Sequence, residues 1–259
     1  MENSEPVFDQ IAEFYDRTRK APLKHEIDSI IRQLNGSKTV LEIGVGTGRI
    51  SWPIQESGFD VTGIDISVRM LEKAREKGIR HLVIGDARNL PFLDSSFDAT
   101  LIVHVFHLIE DNRKVMQEAG RVTGKMVMSL VREHESVDEF RKEWRREVNR
   151  IFTETCERMG YILDTWRPLN HRQESSICDI FPPSRKILID RNTRTVKPEN
   201  FLDRFRYSSR YVSLTKRIPE KDLEKILEAV GKEVNSMDMM PYETTTAEYL
   251  LVWNPWELV

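Results

Sequence analysis

From residue 22 to residue 132, apolar and polar positions alternate between two periods. "HEIDSIIRQL" places Ile27, Ile30, Ile31 and Leu34 on one helical face, and Asn35-Gly36 is a helix-stop signal. Short apolar runs then predict strands: "TVLEIGV", "DVTGIDIS", "RHLVIGDA", "FDATLIVHVF" and "KMVMSLV". Between them, "GRISWPIQESG", "VRMLEKAREKG" and "NRKVMQEAGRV" have helical spacing, and "RNLPFLDSS" is a Pro-containing loop. Buried strands alternating with short helices imply parallel strands joined by right-handed crossovers, a doubly wound α/β sheet.

The flanks differ. "VFDQIAEFYDRTRK" predicts an N-terminal amphipathic helix with Val7, Ile11, Phe14 and Tyr15 on one side. Beyond residue 133, "VDEFRKEWRREVNRIFTETCERMG" predicts a long helix with Phe140, Trp144, Val148, Ile151 and Met159 in a stripe suited to a core. "SRKILIDRNTRTV" reads as a strand, and "KPENFLDRF" and "IPEKDLEKILEAVGKE" as helices opened near a Pro. "TTTAEYLLVW" closes the pattern as a strand. The expected organisation is N-terminal cap helices over 1–36, a core over 37–132, an insertion over 133–217 and core-completing elements over 218–259.

Composition adds a few constraints. With 39% apolar and 31% charged residues the chain is of ordinary globular type. The net charge of −3 gives no global affinity for nucleic acid, although residues 133–217 carry a local excess of four positive charges. A solvated helical face is the expected reading of that excess, with a local anion-binding surface as the alternative. The two cysteines, Cys156 and Cys178, form no CxxC pair, so neither a zinc site nor a disulfide framework is expected, and no metal is expected. The polar, acidic "MENSEPVFDQ" is unlike a signal peptide, and "ATLIVHVFHLI" is too short to span a bilayer. A cytoplasmic protein without a membrane partner is expected.

Candidate chemistry centres on "VLEIGVGTGRI", a strand, a glycine loop and a helix start. The spacing G-x-G-x-G followed by Arg49 departs from the dinucleotide fingerprint G-x-G-x-x-G and lacks the Gly-Lys-Ser/Thr ending of a P-loop. Asp65 at the second strand end can accept two ribose hydroxyls. Asp86 at the third can accept an exocyclic amine, with Ala87 offering a backbone N–H. Glu42 puts negative charge where a cationic cofactor benefits and a diphosphate is repelled. Any one of these acids could be a turn or cap residue. Together they converge on the carboxyl edge of the sheet, where open α/β folds bind ligands.

These motifs resemble the class I S-adenosylmethionine-dependent methyltransferases, in the group containing the ubiquinone and menaquinone biosynthesis methyltransferases. The resemblance rests on "VLEIGVGTGRI", "VTGIDIS" followed by Met70, "GDARNLPFLDSSFDAT", "VHVFHLIED" and "MQEAGRV", with "FDQIAEFYD" as a lid helix, and covers residues 8–132. It implies a Rossmann-like, mostly parallel seven-stranded sheet with an antiparallel last strand, N-terminal lid helices and a helical substrate-side insertion. It implies S-adenosyl-L-methionine as cofactor. Gly44 and Gly46 would face its methionine part, Asp65 its ribose, Ile66, Met70, Asp86 and Ala87 its adenine. Val103 and His104 would line it, with Tyr15, and less directly Arg19, closing over it. "RVTGK" replaces the group's "RVLKPGG", which implies a shorter turn before the fifth strand.

Methyl transfer from a sulfonium needs alignment and exclusion of water more than a fixed triad. No catalytic residue is therefore assigned. His104 and His107 are the candidate bases for a hydroxyl or acidic-carbon acceptor; the alternative is that His104 only lines the pocket and His107 packs under the following helix. Tyr207 and Tyr211 are weaker candidate bases, and Arg204, Arg206 and Arg210 either bind an acidic substrate or are solvated. The expected function is methylation of a small-molecule acceptor. The alternatives are methylation of RNA or protein, for which no RNA-binding module is visible, a non-catalytic cofactor-binding protein, and an NAD-dependent oxidoreductase.

Overall fold

A computed structural model describes residues 22–109, 111–135, 139–163, 177–196, 205, 214–215, 217–237 and 242–259. The N-terminal amphipathic segment with Tyr15 and Arg19, the "KPENFLDR" segment with Arg204, and Arg206, Tyr207, Arg210 and Tyr211 lie outside the described residues. The chain divides into two compact units. One comprises Met1–Arg132, Leu169–Asp190 and Glu248–Val259, the other Glu133–Pro168 and Arg191–Ala247.

The first unit opens with α1 (Lys24–Gln33) and continues β1 (Thr39–Ile43), α2 (Ser51–Glu56), β2 (Asp60–Asp65), α3 (Val68–Glu76), β3 (His81–Ile84), β4 (Phe97–Ile102), α4 (Asn112–Val122) and β5 (Thr123–His134). Later strands are β6 (Arg185–Val196) and β7 (Tyr242–Trp253). They form one seven-stranded sheet in the order β3-β2-β1-β4-β5-β7-β6. The pairs β1–β2, β1–β4, β2–β3 and β4–β5 are parallel. β7 runs against both neighbours: Arg132 meets Glu248 while Glu135 meets Thr245, and Ser184 meets Val252 while Thr193 meets Thr245. The order reverses direction at β1–β4, which opens a crevice at the carboxyl ends of these strands.

Burial explains the patterning. β1 is flanked by β2 and β4 and is buried along Val40, Leu41, Glu42 and Ile43. One face of the sheet carries Ile43, Ile64 and Ile102 against Phe106, Met116 and Trp253. The other carries Val40, Val61 and Leu101 against Ile27, Ile30, Leu34 and Ile54. The helices are placed by their caps: the Ser67 hydroxyl accepts the Met70 amide at the start of α3, and Asp111 accepts the Lys114 amide at the start of α4. α4 passes into β5 with no intervening loop, because Thr123 caps the helix through Ala119 and meets the Thr100 hydroxyl at 2.6 Å. His25 on α1, at 3.3 Å from Glu248, and Arg132 on β5 hold the same Glu248 carboxylate.

Two separated motifs form one brace. The Glu118 carboxylate, from "MQEAGRV", accepts the Leu90 amide at 2.8 Å and two Arg121 N–H groups. Arg121 also donates to the carbonyls of Leu90 and Phe92 and to Asp94. The loop after β3 is thereby fixed to α4, and the Arg121 guanidinium holds Glu118 below the usual carboxylate range.

The second unit packs α5 (Glu139–Arg158) on α6 (Glu220–Ser236). Val148, Ile151, Phe152 and Cys156 are buried on α5, and Leu223, Ile226, Leu227, Val230 and Val234 on α6. The sequence stripe is thus a core stripe at Val148 and Ile151, while Met159 is only half-buried. Tyr161 donates to Asp222 at 2.8 Å, and Phe152 meets Phe205 at 5.4 Å between ring centres. Burial pushes the Cys156 thiol up to about 11, so it serves as a small apolar side chain. No described helix is long and apolar enough to cross a membrane.

The brace is testable. Glu118→Ala orphans the Leu90 amide and removes the main partner of Arg121, and should cost about 2–3 kcal/mol in urea unfolding. Asp94→Ala, whose side chain is 79% exposed, should cost less than about 1 kcal/mol in the same measurement.

Candidate functional site

The crevice holds a cavity of about 480 Å³ lined by the loops that leave β1, β2, β3 and β4. It is of the size and composition usual for a small-molecule site. Every wall residue belongs to the first unit.

The first wall is the glycine loop. The Ile64 carbonyl, at the end of β2, accepts the amides of both Gly44 and Val45, at 2.8 and 3.1 Å. This turns the chain sharply out of β1. Gly44 has φ +70°, and a Cβ there would lie 2.4 Å from a Val105 methyl, so the turn tolerates no side chain. Gly46 has φ +54°, a Cβ there would come no nearer than 4.0 Å to its surroundings, and it lines the cavity with its backbone alone. Gly48 packs instead: a Cβ would meet Ile79 at 2.9 Å and Ala74 at 3.3 Å. The three glycines therefore divide the work, two shaping the cavity wall and one seating α3.

Asp65 ties two walls together. One carboxylate oxygen accepts the Gly46 amide at 2.9 Å and the other accepts the Ser67 amide at 2.9 Å. A carboxylate has about four acceptor directions, more than two amides use. Ile66, 53% exposed, and the buried Met70 supply an apolar surface beside it. On the third wall, Asp86 makes an Asx turn through the Arg88 amide and is clasped by the Arg88 guanidinium, the nearest contact being 2.6 Å. That clasp holds its carboxyl below the usual range. Ala87 lines the cavity between them.

The fourth wall is the exit of β4. The apolar run suggested a strand to Phe106, but β4 ends at Ile102 because His104 adopts φ +58°. A non-glycine residue in this region is strained, and such strain concentrates at functional positions. His104 is exposed and lines the cavity together with Val103. His107 sits in the short 3-10 turn Phe106–Leu108, half-buried, and is not a wall residue.

Glu42 forms part of the floor. It is 2% exposed, and its carboxyl accepts the Ser51 hydroxyl of α2. Burial pushes it up to about 7, against the lowering effect of Ser51 and Arg49.

Gly44, Gly46, Asp65, Ile66, Met70, Asp86, Ala87, Val103 and His104 thus surround one cavity. Sequence reasoning did not find Arg88, Leu108 and Ile109 as wall residues, nor the Ser51 hydroxyl beneath Glu42. The Asp-x-Arg spacing at 86–88 was the available signal for the first, since Asp commonly bonds the backbone two residues on. Among the described residues one other group, His25, Asp190 and Glu248, brings three donor side chains within 4.8 Å. None of them lines the cavity, and Arg132 engages Glu248, so the group reads as an ion-pair cluster.

Residues 41–127 match the model of the methyltransferase domain. The chain is 36% identical over 132 residues to an uncharacterised protein of Methanocaldococcus jannaschii, covering 48% of this chain and 61% of that protein. It is 35% identical over 127 residues to the demethylmenaquinone methyltransferase of Thermotoga maritima (45% and 55%). It is 39% identical over 93 residues to the phosphatidylethanolamine N-methyltransferase of Cereibacter sphaeroides (33% and 45%). The chain spans about half the length of the curated relatives it matches. The fold is shared with a Thermotoga maritima methyltransferase, described as a possible histamine N-methyltransferase, at 17% identity and TM-score 0.50, covering 95% of this chain and 98% of that one. It is shared with the MccD protein at 15% identity and TM-score 0.53 (88% and 96%).

The double role of Asp65 gives an expected outcome without any ligand. Asp65→Ala should destabilise the protein by about 1–3 kcal/mol in thermal unfolding, because two loop amides lose their acceptor. Ile66→Ala, at an exposed position, should stay within about 0.5 kcal/mol of wild type. Residues 41–127 thus match a methyltransferase-domain model, and the Rossmann-like seven-stranded sheet is the fold these solved structures share.

Proposed function

We propose that the chain is an S-adenosyl-L-methionine-dependent methyltransferase that methylates a small-molecule acceptor. The observation that carries this reading is the convergence of Glu42, Asp65 and Asp86, from three successive strands, on one cavity beside the bare backbone of Gly46. Three acids suit a nucleoside that carries hydroxyls, an amine and a positive charge. They oppose a diphosphate, and with the glycine spacing they disfavour NAD.

In this reading Asp65, fixed at the cavity wall by the Gly46 and Ser67 amides, accepts the ribose hydroxyls. Asp86, oriented by Arg88, accepts the adenine amine, with the Ala87 amide beside it. Ile66 and Met70 pack on the base, and Val103 lines the far side. When bound, the cofactor supplies a methyl group already activated by positive sulfur. The protein's part is then to exclude water and to hold the acceptor atom about 3–3.5 Å from the methyl carbon. Tyr15 is proposed to close over the site. His104, on the wall with an exposed ring, is the candidate to remove a proton from the acceptor; His107 stands behind it. The relatives that methylate a menaquinone precursor or a phospholipid amine support a small organic acceptor.

Titration calorimetry tests the reading. S-adenosylmethionine and S-adenosylhomocysteine should both bind, and NAD should not. Asp65→Ala should weaken both nucleosides at least about tenfold, each charged hydrogen bond contributing about 1.5–3 kcal/mol. NAD binding with no response to S-adenosylhomocysteine would sink the proposal.

A further inference from the structure

We propose that Glu42 is the residue by which this site distinguishes the cationic cofactor from its demethylated product: the carboxyl stands neutral against Ser51 in the free protein, gives up its proton when the sulfonium cofactor enters, and takes it back once the sulfur has lost its charge. The inference rests on the cofactor reading above and adds to it a basis for selecting substrate over product.

The geometry starts from β1. Glu42 is paired in register with Gly63 of β2 and Leu101 of β4, so its backbone cannot shift to carry the side chain out. The side chain is 2% exposed and still forms part of the cavity floor. Its nearest partner is the wholly buried Ser51 hydroxyl. An ionised carboxylate with so few donors is poorly solvated, and a neutral carboxyl is the lower-energy form of such a group. The value of about 7 agrees with that expectation. The charged groups around it do not alter the balance. Arg49, from the glycine loop, favours ionisation, and Asp65, from the end of β2, opposes it. Farther round the wall Asp86 and Arg88 neutralise each other, and His104 stands at the exit of β4.

A positive charge entering such a cavity acts strongly on a buried acid held neutral at its floor, because low surrounding polarity magnifies Coulomb terms. The sulfonium form of the cofactor carries one more positive charge than the thioether product. Proton loss from Glu42 therefore accompanies cofactor binding to a greater degree than product binding. The proton goes to solvent on binding and returns from solvent on release, so the cycle balances. The linkage sign follows. Because the free group is protonated below about pH 7, cofactor affinity falls as pH drops through that value, whereas product affinity falls less.

Calorimetry at pH 7 in buffers of different ionisation enthalpy reads the proton directly. S-adenosylmethionine should release about half a proton per site, and S-adenosylhomocysteine distinctly less. Below pH 7 the affinity for the cofactor should fall by up to about tenfold per pH unit. Glu42→Gln should abolish the difference between the two ligands in proton release and flatten the pH profile. Ser51→Ala removes a hydrogen bond that favours the charged form, so it should move the midpoint of the profile upward; a purely structural Glu42 would leave that midpoint in place. Equal proton release for both ligands in the wild-type protein, or an unchanged profile in Glu42→Gln, overturns the role of Glu42 while leaving cofactor binding standing. Failure of both nucleosides to bind overturns the reading beneath it.

Discussion

The site depends on one carboxylate. Asp65 ends β2, and its two oxygens receive the amides of Gly46 and Ser67. The loop that leaves β1 and the loop that leaves β2 are thus fixed by a single side chain. Other ties of the glycine loop are the Ile64 carbonyl, which accepts Gly44 and Val45, and the Lys77 ammonium, which donates to Thr47. The cavity is therefore formed before any ligand arrives, and the side chain that shapes it also faces into it. Binding and folding draw on the same group, which makes its removal costly in both respects.

The acids of this unit illustrate how surroundings set charge. Asp98, at the opposite end of the sheet, receives the amides of Lys38 and Thr39 and the ammonium of Lys125, and is held down to about 2. Asp86 is held low by Arg88. Glu42, enclosed and given mainly a hydroxyl, goes the other way. The difference lies not in the residue type but in the number of donors and the amount of water each can reach.

Much of the fold was legible because each element has a local cause. The helix over 112–122 and the strand pattern from β1 to β4 follow from periodicity and caps. The sequence suggested that a helix begins at Gly48; it begins at Ser51, because three left-handed glycines must first turn the chain. The strand end at Ile102 was hidden, since Val103, Val105 and Phe106 are apolar and only the backbone of His104 breaks the run. The missing loop between α4 and β5 was foreshadowed by "RVTGK". What local pattern could not carry was pairing between distant residues. Nothing in "NLPFLD" or "EAGRV" alone says that Glu118 and Arg121 grip Leu90 and Phe92. Nor could spacing reveal that His104 lines the cavity and His107 does not.

The sheet order has a consequence for synthesis. β7 lies between β5 and β6, yet it follows β5 by roughly a hundred residues. On a ribosome elongating at about 5–20 residues per second, β5 would wait about 5–20 s with its outer edge unpaired. During that interval an apolar strand containing Met126, Val127, Met128 and Leu130 has no neighbour on one side. Such an edge is a template for pairing with other chains. The cell must tolerate or shield this nascent intermediate each time the protein is made, and crowded translation is where its aggregation would be concentrated.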